Sequence, residues 1–388
     1  MDYKEIISSS INKNAADLKA LSDWVFAHPE TSMLEKETSA YLAEFFKQRG
    51  FEVETNLCGL ETAFKATKKN GNGRRVCLMQ EYDALPGIGH ACGHHLIAAS
   101  CAGAALALGD ALDAGLEGEV VLIGSPGEET GDGKPPLVDG GAYDNCDAAM
   151  SLHPYCNNIY KPQWISIGGM DFHFTGRAAH AGSSPSDGVN ALDAIVLFYN
   201  AFSVLRQQLK DGSRIHGIIL GGGTAANIIP DDCTIRLEFR SPDAKYYYDI
   251  VDKVCKCADA AAMATGCTVE YHEFEPTCCG VLHNDILAKE YAAQMAALGI
   301  QESGAEFLGS TDVGNVSVMT PTSHPLLQVT DLQCGLHTTE FLGEVQTQEA
   351  FDRMMVGSVA MCNTLLRVLE DADFAASLKE ELEANKPM

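Results

Sequence analysis

The run Glu119-Val120-Val121-Leu122-Ile123-Gly124 is apolar from its second residue on and has the length of a strand. A strand of that composition needs cover on both faces, which places it inside an α/β sheet. It empties into Ser125-Pro126-Gly127-Glu128-Glu129-Thr130, so two acids sit just past its carboxyl end. Open α/β sheets place their ligands at that edge. A second buried strand over 148–152 ends the same way, in His153-Pro154. A third, over 76–80, runs directly into Glu81-Tyr82-Asp83-Ala84-Leu85-Pro86-Gly87-Ile88-Gly89-His90-Ala91-Cys92-Gly93-His94-His95. Cys92 and His94 flank a glycine there, and Gly93 lets the backbone turn tightly enough for both side chains to face one point. The expectation is the floor of a metal site.

The rest of the chain divides by pattern. Helical spacing covers 17–26 and 37–48 with Pro29 between them, and short strands follow at 51–53, 62–66 and 76–80. Asn70-Gly71-Asn72-Gly73 is a turn signal that joins the last two of these strands. An Ala- and Leu-rich helix spans 94–114. Around Trp164 the pattern changes to a strand (165–174), a helix (189–208), two strands (217–220, 234–239), a helix (246–265) and a strand (268–274). That β-α-β-β-α-β order predicts a complete ferredoxin-like domain inserted into the larger one. Past Pro276 a helix at 285–298, a strand at 326–329 and a closing helix at 349–369 follow, and the last residues read as a charged tail. The expected domains are 1–163 and 277–388, forming one metal-binding domain, and 164–276, the insertion.

Bulk properties exclude several functions. A formal net charge of -26 repels phosphate backbones and anionic lipid, so neither nucleic acid nor a membrane surface is an expected partner. The longest apolar stretch, 98–108, is short of a membrane span and is closed by Asp110 and Asp113. The start, Met1-Asp2-Tyr3-Lys4-Glu5, lacks a basic segment followed by an apolar one, and the expected location is cytoplasmic. The 14 cysteines include no Cys-x-x-Cys pair and read as reduced, buried thiols.

The candidate ligands are Cys92, His94, Glu129, His153 and His337, a set that suits a pair of divalent ions sharing one bridge. Together with Pro126-Gly127-Glu128-Glu129, Gly176-Arg177-Ala178-Ala179-His180-Ala181-Gly182, Asn227-Ile228-Ile229-Pro230, Ser310-Thr311-Asp312-Val313-Gly314-Asn315 and Leu336-His337-Thr338, the motifs occur in the order found in peptidase family M20, subfamily D. The chain resembles these amidohydrolases over essentially its whole length. The resemblance implies an α/β, phosphorylase/hydrolase-like di-metal peptidase domain with an inserted ferredoxin-like α+β lid and dimerisation domain. It implies that Cys92 bridges the ions, that Glu129 and His337 hold one and His94 and His153 the other, and that Glu128 is the general base. Asp83 is read as the acid that orients a ligand imidazole. Asn227 and Arg240 would hold a substrate carboxylate, and His180 would be presented to a partner's metal centre across a homodimer. The implied substrates are small N-acyl amino acids or dipeptides with a free carboxylate. Cys92 favours zinc, while the imidazole and carboxylate ligands also fit manganese. The alternatives are a non-catalytic metal-binding relative, against which an intact Glu128 argues, and a partner-dependent metal-binding subunit of a hetero-oligomeric hydrolase, which Glu128 leaves open. His95 stands where the subfamily shows Asp or Asn, and Asp312 reads as a loop-capping residue. His90 and His324 read as surface or structural histidines and are left without a role.

Overall fold

In the computed structural model, which describes residues 2–386, the apolar run lies inside the interior strand Gly118–Ser125. Val120 and Leu122 face one hydrophobic core, and Val121 and Ile123 the other, so both faces of the strand are covered. The sheet has six strands in the order Glu52–Thr55, Phe64–Asn70, Gly118–Ser125, Arg75–Glu81, Ala148–Met150 and Thr322–Ser323. The pairings among the first three are antiparallel, and those from Gly118–Ser125 onward are parallel.

The Asn70–Gly73 turn joins Phe64–Asn70 to Arg75–Glu81 as expected, but the two strands do not pair as a hairpin. Gly118–Ser125 lies between those two strands, with Ile123 opposite Lys65 on one side and Met79 on the other. An apolar strand is most stable with a neighbour on each edge, and that demand overrides the local turn chemistry. A Cβ at Gly73 would lie 2.7 Å from the Glu117 carbonyl carbon, so the turn packs against the entry to the inserted strand.

The described chain divides into two compact units, residues 2–163 with 281–386, and residues 164–280. In the first, helix Tyr3–Ala27 and helix Gln348–Glu370 pack on helix His94–Asp113. This last helix is long and apolar enough to cross a membrane, yet all its residues except Asp110 and Asp113 are buried in the unit. Two sequence expectations change here. The first helix starts at Tyr3 instead of 17, capped by Asp2, because Ile7 and Ile11 continue the buried stripe through a polar stretch. The expected charged tail is helix Ala372–Asn385, capped by Asp371 and burying Phe374, Ala375, Leu378 and Leu382 on one face.

The second unit is a four-stranded antiparallel sheet in the order Thr268–Cys278, Ser166–Thr175, Asp232–Ser241 and Arg214–Gly221. Numbered within the unit this is 4-1-3-2, the ferredoxin-like arrangement. Helices Ala191–Leu205 and Ala244–Thr265 supply Phe198, Phe202, Ile250 and Val254 to a core shared with Phe172, Phe174, Ile235, Leu237 and Phe239. Strand Thr268–Cys278 continues past Pro276, where the sequence reading ended the insertion. It can do so because it is an edge strand with register shifts on either side of Glu275, where a residue lacking an N–H is tolerated.

Candidate metal centre

The strand Arg75–Glu81 delivers Glu81, Tyr82 and Asp83 to the carboxyl edge of the sheet, and the chain then returns through Cys92 into helix His94–Asp113. Gly93 adopts φ +85°, the left-handed conformation open to glycine at little cost. The space is equally restrictive, since a Cβ there would stand 2.6 Å from Pro154 Cγ. This close approach seats the Cys92–His94 corner against His153. The Cys92 Sγ lies 3.3 Å from His153 Nε2 and 3.4 Å from His337 Nε2. His337 Nε2 is in turn 3.4 Å from Glu129 Oε2. The His337 backbone is held at φ +63°, unusual for a side chain with a Cβ, by its N–H bond of 3.1 Å to the Ala91 carbonyl.

The donor atoms fall into overlapping sets. Cys92, His94 and His153 form one and Cys92, Glu129 and His337 another, each with its ligating atoms within 4.8 Å of one another. Cys92 is the member common to both. His94, Glu128 and Glu129 form a third set, in which His94 Nε2 is 3.7 Å from Glu128 Oε2 and 3.8 Å from Glu129 Oε1. A thiolate, imidazoles and carboxylates at these separations fit a pair of divalent ions, the thiolate belonging to the first two sets and carboxylates to the last two.

The hydrogen bonds fix the ligand faces. His94 Nδ1 lies 2.8 Å from the Asp83 carbonyl and 3.0 Å from Asp83 Oδ1, which keeps the proton on Nδ1 and leaves Nε2 as the donor to an ion. His153 Nδ1 similarly meets the Pro154 carbonyl at 2.9 Å, so its Nε2 faces Cys92. Burial, with His324 and His94 nearby, pulls His153 down to about 3, which keeps the imidazole neutral and able to ligate. Burial pushes the Asp83 carboxyl up, but the His94 imidazole outweighs it and brings the group down to about 2. Burial, with Glu81 and Glu129 adding to it, raises Glu128 well above the usual carboxylate range.

The sequence reading missed Lys134. Its ammonium is fully buried between Glu81 Oε1 at 2.7 Å and Asp312 Oδ1 at 2.5 Å, and its backbone N–H donates to Asp312 Oδ2 at 2.9 Å. Asp312 therefore does not cap its loop. Its carboxylate is taken up by a lysine 178 positions away. Gly133-Lys134-Pro135-Pro136 carries no signal for this, because lysines are ordinarily solvated. Burial opposes the charge on Lys134, but Asp312 and Glu81 hold it charged. Against the effect of burial, Lys134, His324 and His94 bring Glu81 down to about 2. His324, read from the sequence as a surface or structural histidine, is buried, with its ring 5.8 Å from that of His153.

Cys92, His94, Glu128, Glu129, His153, His337 and Asp83 thus gather in one unit. In the other, His180 and Asn227 lie side by side, the Ala181 N–H donating to the Asn227 carbonyl at 2.9 Å. His180 Nδ1 accepts from the Gly182 and Ser183 N–H groups at 3.2 Å each, which places the ring proton on Nε2. Arg240 stands on strand Asp232–Ser241, opposite Arg214 and 3.6 Å from Glu238 Oε2.

Comparison with known proteins agrees with this geometry. Residues 77–334 match the model of peptidase family M20/M25/M40. The Xaa-Arg dipeptidase of Homo sapiens is 35% identical over 395 residues, 96% of this chain and 90% of that protein. The p-aminobenzoyl-glutamate hydrolase of Escherichia coli (strain K12) contributes one subunit that is 31% identical over 323 residues, 78% of this chain and 66% of that protein. Among solved structures, a putative aminohydrolase from methicillin-resistant Staphylococcus aureus superposes with a TM-score of 0.80 at 20% identity, covering 95% of this chain and all of that one. A dinuclear metal binding peptidase of Bacillus subtilis gives a TM-score of 0.70 at 20% identity, covering 92% and 98%. The fold, the donor set and the sequence match together make this chain a member of peptidase family M20.

Proposed function

We propose that the protein is a di-metal amidohydrolase that cleaves the amide bond of N-acyl amino acids or dipeptides bearing a free carboxylate. The observation that carries this reading is that Cys92 belongs to both donor sets, while Glu128 stands beside His94 and outside both of them. A pair of divalent ions held there would supply an activated water and polarise the scissile carbonyl. Glu128 takes the proton from the attacking water and returns it to the departing amine nitrogen. Asp83 holds the His94 ring in the tautomer that ligates. The arginine fork of Arg240 and the amide of Asn227 would take the substrate carboxylate, and in a homodimer His180 of one copy would offer Nε2–H to the developing oxyanion at the other copy's metal centre. Cys92 makes zinc the preferred ion, and manganese the second choice.

Two further parts of the reading rest on the 164–280 unit and on the thiols. Strand Arg214–Gly221 is a sheet edge that exposes Ile218, Ile219 and Leu220, which supports pairing with a second copy into a homodimer. Cys77, Cys101, Cys146 and Cys362 are buried thiols, in keeping with a reducing, cytoplasmic location. The test is a hydrolysis panel with the purified chain alone, loaded with zinc or with manganese. The panel covers aminobenzoyl-glutamate, dipeptides ending in arginine, and N-acetyl amino acids. Turnover of one class by the chain alone supports the reading. A chain that binds both ions and turns over none of them counts against it and favours a partner-dependent subunit.

A further inference from the structure

The residue that precedes a helix ordinarily uses its side chain to cap that helix. Glu35 precedes helix Lys36–Lys47 and makes no such bond. Glu30 caps it instead, its carboxylate accepting from the Glu37 N–H at 3.1 Å and the Thr38 N–H at 2.8 Å. Glu35 is fully buried and reaches the other way. Its Oε1 accepts from the Gly127 N–H at 2.8 Å and the Met33 N–H at 2.9 Å, and its Oε2 accepts from the Thr62 hydroxyl at 3.1 Å. Three donors converge on it, and burial with the nearby Asp83 carboxylate still outweighs the pull of the Gly127 and Met33 N–H groups, so the group is pushed up to about 7.

What those donors belong to gives the acid its role. Gly127 immediately precedes Glu128 and is held at φ +66°, and a Cβ on it would meet Met33 Sδ at 2.8 Å. The Thr62 carbonyl accepts from the Tyr82 hydroxyl at 2.5 Å, and Tyr82 lies between Glu81 and Asp83. The segment leading to Glu35 grips the same two loops. The Ser32 hydroxyl donates to Asp83 Oδ2 at 2.8 Å, the Glu129 N–H donates to that same oxygen at 3.0 Å, and the Ala84 N–H donates to the Glu30 carbonyl at 2.8 Å. Residues 30–35 therefore bracket the loop that carries Glu128 and the strand exit that carries Asp83.

We propose that Glu35 is a positioning residue for hydrolysis, its carboxylate fixing the Gly127 turn and through it the aim of Glu128. The inference rests on the reading of Glu128 as the base. It predicts an effect on turnover that exceeds any effect on substrate or metal binding, because a misplacement of about 1 Å can cost about 100-fold in rate. In the metal-loaded enzyme, Glu35→Ala should lower kcat about 100-fold while KM stays within about twofold and both ions remain bound. Glu35→Gln keeps an acceptor for the Gly127 N–H and should recover most of that loss. Hydrogen exchange should speed up in the 126–130 peptide of Glu35→Ala and not in that of Glu35→Gln. If Glu35→Ala does not fold, Glu35→Asp, one methylene too short to reach Gly127, takes its place with the same expectation. Wild-type kcat in the Ala or Asp variant, or a Gln variant as slow as Ala, would overturn the proposal. Glu128→Ala, measured alongside, separates the two readings. If it stays active, the assignment of the base fails. If it is inactive while the Glu35 variants run at full rate, only the role of Glu35 fails.

Discussion

Gly93 and Pro154 are in contact so close that no side chain fits between them, and this contact seats the Cys92–His94 corner against His153. Gly93→Ala would meet both a clash and a backbone at φ +85°. Each is worth on the order of 1 to 3 kcal/mol. The expected outcome is a lowered unfolding midpoint together with weakened metal binding, measured by thermal unfolding and elemental analysis. A variant that keeps full metal content and stability would show that the corner can be seated without the contact.

The two donor sets predict different losses for two neighbouring functions. Glu128→Ala should keep fold and metal and lose about 100- to 10,000-fold in turnover, the usual contribution of a positioned base. Cys92→Ala removes the donor common to both sets and should lose metal outright. Metal analysis beside steady-state kinetics on each variant distinguishes them. Full activity in the first, or both ions bound as tightly in the second, contradicts the assigned roles.

Much of this centre was legible because the sequence places its chemistry at strand ends, and a largely parallel sheet brings such ends to one edge. Glu128 and Glu129 after Gly118–Ser125, and His153 after Ala148–Met150, are the clearest cases. The repeating β-α-β-β-α-β order over 164–280 was readable for a similar reason, since Phe172, Phe174, Ile235, Leu237 and Phe239 alternate clearly along their strands. Features set by distant partners were not legible. Nothing local to Asn70–Gly73 announces a strand inserted from 118–125, and nothing near Lys134 points to Asp312. Helix Ala372–Asn385 was hidden because Glu380, Glu381 and Glu383 mask the spacing of Phe374, Leu378 and Leu382.

The Lys134 cluster yields a pH prediction. Glu81 is held down at about 2, below its unfolded value, and this contribution to stability is present above about 4.5 and is lost as pH falls through 2. Asp312 is pushed up to about 6 by burial, with Lys134 pulling against it. An acid raised in this way costs stability as pH climbs from its unfolded value to 6 and adds no further slope above that. Between about pH 6.5 and 8 these two groups therefore leave wild-type stability level. Lys134→Met leaves two buried carboxylates without their cation, at a cost of about 3 to 5 kcal/mol. Both acids then ionise at higher pH in the folded state than in the unfolded one. The variant should lose stability as pH rises across that window. Urea unfolding at several pH values checks this, and a variant as level as wild type would remove the triad from the stability argument.

The last prediction concerns His180, whose Nδ1 accepts two backbone N–H groups and so presents Nε2–H outward from an exposed loop. A preorganised donor to an oxyanion is worth roughly 2.7 to 4 kcal/mol, so His180→Ala should lose about 100- to 1,000-fold in kcat with metal binding unchanged. The proposed homodimer adds a stricter test, because it has this histidine serve the partner's metal centre. In a mixed dimer of a His180→Ala chain with a Glu128→Ala chain, one site would hold an intact base and the partner's intact histidine, and the other would lack both. Such a dimer should show about half the activity of a wild-type dimer, although each parent homodimer is nearly inactive. Co-expression with two different affinity tags and tandem purification isolates the mixed species. Mixed dimers that form and stay inactive would place the action of His180 within its own chain, or remove it from the reaction.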